Sequence, residues 1–250
     1  MTSPTVPEDT IQAAAPTELL RSLAAQPTLD EAMRRLADYT VEHVPGVVAA
    51  GLTVPTSAGP TTRAATMSLA DTIDALQYTL GGPCVTALIE RHAVQHADDL
   101  NTDHRWPQFA AAAVAHTPIR SVLSCRLAVD HQPPIASLNL YATKSQAFAS
   151  DIVRQTADLA GQAAIALAYL TERQTRLQLE VALRSNRRIA AAVGVLMARH
   201  QLTQHQAFQR LWQASQHTNR KLRDLADDIL ETGELPAVRL SRRRTRAQAS

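Results

Sequence analysis

Polar and apolar residues alternate along this chain with two different periods. Near the start the period is helical. A helix is predicted from Thr17 to Ala25, and a second from Thr28 to Val44, with Leu29, Met33, Leu36 and Thr40 on one stripe and Pro45-Gly46 as its stop. The pattern then becomes strand-like. VVAAGLTV (47–54) reads as a buried strand, PTSAGP as a turn, and TRAATMS (62–68) as the antiparallel return. Residues 70–79 and 83–91 are helical, parted by Gly81-Gly82-Pro83, and Pro83 suits the first turn of a helix. A short strand from Val94 to Ala97, the acidic loop DDLNTDHRWP and a helix from Trp106 to about His116 follow. SVLSCRLAV (121–129) and IASLNLYAT (135–143), joined across DHQPP, form the clearest hairpin. This order of elements predicts an α+β domain, an antiparallel sheet with helices segregated to its side.

Past Asp151 only the helical period remains. Up to Arg184 there is no proline, and Leu167, Leu170, Gln174, Leu177, Val181 and Arg184 form a short heptad seam; its first half suits equally a helix packed on its own domain, and beyond Thr171 the exposed Leu177 and Val181 favour a helix that pairs with a second copy. This helix continues through Ile189, Val193, Leu196 and His200. Thr203-Gln-His-Gln206 is a capping box that opens a further helix with Ala207, Phe208, Leu211, Trp212 and Ser215 on one side. Asn219 is read as the N-cap of a last helix, whose stripe is Leu222, Leu225, Ala226 and Ile229 and whose end is marked by Gly233 and Pro236. The tail RLSRRRTRAQAS has almost nothing that could pack.

Charge divides the chain in the same place. Residues 1–183 hold 12 Lys or Arg against 18 Asp or Glu, whereas residues 184–250 hold 13 against 5. A basic segment joined to an acidic body points to a polyanionic partner. Its last helix sharpens the point. With Asn219 as cap, Arg220, Lys221 and Arg223 would sit at the positive end of the helix dipole and Asp227, Asp228 and Glu231 toward the negative end. Each such charge costs about 0.3–1 kcal/mol at an exposed terminus. An anion seated on free amides and flanking cations would account for it; the alternatives are side chains that point into screening water, or a preceding helix that runs unbroken through residue 219 and puts the cations mid-helix.

Other chemistry finds little support. Cys84 and Cys125 form no CxxC pair, which fits a reducing compartment. The first sixteen residues lack the form of a signal peptide, and no uncharged apolar run reaches membrane-spanning length, so a soluble cytoplasmic protein is expected. His92 and His96 are four apart without a completing ligand set, so no metal is expected. No P-loop, nucleophile elbow, zinc-protease or dinucleotide fingerprint is present, so neither catalysis nor a cofactor is expected. Cys84, after Gly-Pro at a helix start, is weighed as a redox thiol against a small buried hydrophobe. Asp103, Arg105 and Trp106 are weighed as a binding corner against a loop-closing ion pair anchored by the indole.

SNRRIAAAVGVLMARHQLTQHQAFQRLWQASQHTNRKLRDLADDILETGELP (185–236) closely resembles an ANTAR domain, the three-helix RNA-binding module of bacterial transcription antiterminators. The matching pieces are Ala192-Val-Gly-Val-Leu-Met197, Ala207-Phe208 with Leu211, Ser215-Gln216, and Asn219-Arg-Lys-Leu222 with Ala226. Val193 stands where many members have a lysine. The region before it resembles the GAF domain often found ahead of ANTAR in actinobacterial proteins, through Gly82-Pro-Cys84, Asp99-Leu100, Asp103-His-Arg-Trp-Pro107, Arg120-Ser-Val-Leu-Ser124 and Leu138-Asn-Leu-Tyr141 with Phe148. Ile119 replaces a glycine common before the Arg-Ser pair.

The resemblance implies an α+β GAF domain at 17–170 after a disordered start (1–16), a helical coiled-coil linker (171–184), an all-α three-helix ANTAR domain (185–236) and a basic disordered tail (237–250). It implies a transcription antitermination regulator and not an enzyme. RNA contacts are expected from Arg187, Arg188, Arg199, Gln216, Asn219, Arg220, Lys221 and Arg223, and a GAF pocket from Cys84, Asp103, Arg105 and Trp106. The partners implied are tandem RNA stem-loops with hexanucleotide loops in mRNA leaders, a second copy of the chain and a small-molecule GAF ligand, with no membrane. A DNA-binding factor and a ligand-sensing partner protein without nucleic acid remain the alternatives.

Overall fold

A computed structural model describes residues 16–90, 94–130 and 132–235. The expected disordered start, apart from Pro16, and the basic tail lie outside these residues, as does His92. Contacts divide the chain into two compact units, one on each side of the Gln174–Thr175 bond.

In the first unit, helices α1 (Pro16–Ala24) and α2 (Leu29–His43) precede strands β1 (Ala49–Thr56) and β2 (Gly59–Ala65). Helices α3 (Ser68–Leu80) and α4 (Pro83–Ile89), strand β3 (Val94–Ala97) and helix α5 (Pro107–His116) follow, then strands β4 (Ser121–Leu127) and β5 (Ala136–Ala142). Thr28 caps α2, its hydroxyl accepting from the Glu31 amide while the Glu31 carboxylate accepts from the Thr28 amide. The return strand starts earlier than its apolar pattern suggested. Thr56 pairs with Gly59, and Gly59 turns at φ 116, a conformation that favours glycine.

The five strands pair antiparallel in the order β2-β1-β5-β4-β3. The expected antiparallel sheet with flanking helices is present, and the helices cover both of its faces. Leu52, Leu123, Cys125, Leu127, Leu138 and Leu140 share one core with residues of α1, α2 and the start of α6 (Ser150–His200). Ala49, Val122 and Tyr141 share another with α3 and α5. The alternation along β4 and β5 sends successive side chains to opposite faces, which is why both strands are buried almost throughout.

The described part of the second unit is helical. The later part of α6 packs with α7 (Gln204–Thr218) and α8 (Leu222–Thr232) around Leu196, Leu211, Leu225 and Ile229. Thr203 and Gln206 close the capping box that opens α7. Gly233, left-handed at φ 77, caps α8 through its amide to the Ile229 carbonyl. One part of the expected α7 face is corrected: Ala207, Leu211, Ala214 and Ser215 are buried, whereas Phe208 and Trp212 are 43% and 51% exposed.

The first half of the heptad seam takes its other reading, a helix packed on its own domain. Leu167 and Leu170 are buried in the core of the first unit and are not available to a second helix. In the second unit Leu177, Leu179, Val181 and Leu183 stand 52%, 58%, 58% and 50% exposed, as two i, i+4 pairs.

Candidate functional site

The basic residues of the second unit fall into two groups. Arg188 pairs with Asp227, Arg199 with Glu234 (2.8 Å), Arg220 with Asp228 (2.6 Å) and Arg223 with Asp224 (3.4 Å). Arg176, Arg184, Arg187, Arg210 and Lys221 are exposed and make no ion pair among the described residues. Arg187 and Arg184 lie one turn apart on α6, and Gln216 is exposed on α7.

Asn219 does not cap the last helix. It closes α7 in the left-handed conformation (φ 51, ψ 33), and Lys221 is the N-cap of α8, without a side-chain cap bond. Arg220 and Lys221 therefore precede α8, and Arg223 is followed in the first turn by Asp224. The inverted polarity has a local answer. The Arg220 guanidinium reaches along α8 and donates to both oxygens of Asp228 at 2.6 and 3.2 Å, while the Ser215 hydroxyl donates to the Arg220 carbonyl at 2.6 Å. That pairing holds the Asp228 carboxyl below its ordinary value, chiefly through the hydrogen bond. An anion is thus not needed to explain Arg220, while Lys221 beside it remains unpaired among the described residues.

In the first unit, among the described residues, the four expected pocket residues are spread between the start of α4 and the loop before α5. Cys84 is buried at the start of α4, its thiol 3.6 Å from the Thr53 hydroxyl, and burial pushes that thiol up to about 12. A thiol so placed is not a reactive thiolate. Asp103 and Arg105 instead border a surface depression of about 480 Å³ with Asp98, Asp99, Thr102 and His104. The Asp103 carboxylate accepts from the Arg105 amide (2.9 Å) and guanidinium (2.6 Å); burial works against its ionisation, but these bonds hold the carboxyl below its ordinary value. The guanidinium lies over the Trp106 ring at 4.4 Å, and the indole donates to Thr86 at 2.9 Å, which fastens the loop to α4. Among the described residues no group of three or more His, Cys, Asp or Glu is placed to hold a metal.

The interior of this unit holds a polar network that the sequence pattern did not reveal. Asp74 of α3, fully buried, accepts from the Tyr141 hydroxyl, from Asn139 Nδ2 (3.0 Å) and from the Thr62 hydroxyl (3.0 Å). Since Thr62 gives its proton to Asp74, it accepts from Tyr78 (2.7 Å), and Tyr78 in turn accepts from Thr53 (2.9 Å). Asn139 also donates to Thr53 at 2.9 Å, and Gln77 joins the Tyr141 hydroxyl to the Cys84 amide. Gly51 makes room: a Cβ there would lie 2.6 Å from Asp74 Oδ2. Burial, against these donors, raises the Asp74 carboxyl to about 6. The period-two run Ser137, Asn139, Tyr141 in β5 is the sequence signal that could have found this network.

The family model for the GAF domain matches residues 26–168, and that for the ANTAR domain matches residues 177–230. No curated protein matches the chain. Among solved structures, the chain is similar to the GAF domain of a phosphoenolpyruvate-protein phosphotransferase from Coxiella burnetii, at 16% identity and TM-score 0.48, covering 66% of this chain and 99% of that one. It is similar also to a type II free methionine-R-sulfoxide reductase from Thermoplasma acidophilum, at 15% identity and TM-score 0.46, covering 60% and 96%. A third likeness is to fRMsr of Staphylococcus aureus, at 13% identity and TM-score 0.46, covering 63% and 98%.

Proposed function

The chain belongs to the GAF domain family and carries an ANTAR domain behind it, and on that premise we propose that it is an RNA-binding transcription antitermination regulator. The ANTAR domain as a class binds RNA in antitermination, and the GAF domain is a sensing domain. In this reading the second unit grips a stem-loop in an mRNA leader. The exposed leucines and valine of α6 pair two protomers, so that tandem stem-loops are held together against an overlapping terminator. The observation that carries the reading is the ANTAR match over a segment whose Arg184, Arg187, Arg210 and Lys221 make no ion pair among the described residues. Solvated phosphates are the natural counter-charge for such residues. The GAF unit would transmit a signal or serve pairing alone, in a cytoplasmic setting; no described helix is long and apolar enough to cross a membrane.

The test separates the two groups of cations. Lys221→Ala and Arg187→Ala should each weaken hairpin binding and flatten its log-log salt dependence by about 0.7–0.9 for every phosphate that the variant no longer neutralises. Arg220→Ala removes a charge already held by Asp228 and should change that slope less. Equal affinity of the unaltered chain for a hairpin RNA and for the matched DNA hairpin, or slopes unchanged by Lys221→Ala and Arg187→Ala, would count against RNA recognition.

A further inference from the structure

On one side of the second unit α6 and α7 leave a groove of about 540 Å³, lined by Ile189, Ala190, Val193, Met197 and Phe208, with Asn186, Gln204 and His205 at its polar rim. We propose that this groove is a base-reading subsite, in which an unpaired base of the RNA loop stacks on Phe208 while its edge meets the amide and imidazole groups of the rim; the proposal rests on the RNA-binding reading above.

Three observations carry it. Phe208 is 43% exposed although its neighbours Ala207 and Leu211 occupy the core, so the ring is presented to the groove and not consumed by packing. Aromatic faces open to solvent beside apolar walls are what single-stranded bases stack on. Gly194 also lines the groove, and a Cβ there would meet nothing within 4 Å. Glycine inside a helix is unfavourable, and packing does not require it here; an occupant lying close against the helix backbone would. Finally, no carboxylate among the described residues lines the groove, while Arg187, without an ion pair among them, is on α6 one turn before Ala190. The surroundings therefore suit a nucleotide, with a phosphate in reach of a cation beside the base. Asn and Gln side chains can both donate and accept along a base edge, which gives the rim a means of choosing among bases.

The experiment uses the full chain and hairpins with a randomised loop, from which the best-bound hairpin is taken as the probe. Phe208→Leu, which keeps apolar bulk and removes the aromatic face, should weaken binding about 5- to 100-fold, while Phe208→Tyr should retain most of it. Removing the loop bases one at a time should reveal one position at which the base-less hairpin binds the original chain and Phe208→Leu equally. Gly194→Ala should raise the thermal midpoint, as expected for a helix, yet weaken binding. The melting curves show whether each variant is folded. If the unaltered chain binds no hairpin, the RNA reading falls and the groove assignment with it. If it binds and Phe208→Leu binds equally well, RNA recognition stands and the subsite is overturned. If Phe208→Leu instead converts a dimer to a monomer in light scattering, the groove belongs to a second copy of the chain, which also overturns it.

Discussion

Changing Leu177 and Val181 together to Asp is expected to give a folded chain that binds a single stem-loop as before and loses most of its advantage on a tandem pair. Both side chains are more than half exposed, so neither substitution disturbs a core. In a pair of protomers each buried leucine would contribute on the order of 1.5–3 kcal/mol, and carboxylates in their place would oppose pairing. Tethering two RNA-binding units makes the second contact intramolecular, which raises avidity by about 10²–10⁴ with no new interaction. The variant should lose that factor and nothing else. Leu167 and Leu170 are unsuitable for the same test, because they belong to the core of the first unit and their loss would unfold it. Light scattering is the direct check: a monomer at micromolar concentration, with and without tandem RNA, would refute pairing through these residues.

The second large effect concerns Asp74. Replacing it with Ala strands the Tyr141 hydroxyl, the Asn139 amide and the Thr62 hydroxyl, all turned toward it. Leaving buried donors unsatisfied costs about 1–3 kcal/mol each, so a loss of about 3 kcal/mol or more is expected in denaturant unfolding of the first unit. Asp74→Asn should behave differently. With its carbonyl toward Tyr141 and Asn139, its amide can donate to Thr62, and the Thr62–Tyr78–Thr53 chain of hydroxyls reverses direction to suit.

The pH dependence then follows with a definite sign. The carboxyl rises from an ordinary 3.8 to about 6 on folding, so between these values the native chain binds more protons than the unfolded one. Stability contributed by Asp74 is present below the unfolded value and is lost as pH rises through the folded value, by roughly 3 kcal/mol at about 1.4 kcal/mol per pH unit. The unaltered chain should therefore lose stability relative to Asp74→Asn as pH rises from about 4 to 6. A difference between the two that stays flat across that window would refute the assignment.

Much of the architecture was legible in local pattern, because the forces that set it act between near neighbours. The Thr203–Gln206 capping box needs only four residues of helix start, and it forms. The stripe Leu222, Leu225, Ala226 and Ile229 follows from helical period alone, and it packs the last helix. The β4–β5 hairpin follows from strand period and a turn. Asn219 departs from its expected place because a short amide side chain suits two roles, capping the start of one helix or accepting the left-handed conformation at the end of another, and the sequence permits both.

Tertiary structure decided what each face met. Leu167 and Leu177 share one apolar spacing, yet one is buried within its own unit and the other stands in solvent. Phe208 reads as core by period and is left at the edge of a groove because Ala207 and Leu211 already fill the helix contact. Arg220 meets Asp228 only once α8 has formed and brought the carboxylate back along its side. The Asp74 network lies furthest from local pattern: its acid and its tyrosine are 67 residues apart, on a helix and a strand that periodicity describes separately. Periodicity shows that a residue is turned to one side, and only the packing of the other elements determines whether that side holds a leucine, water or a buried carboxylate.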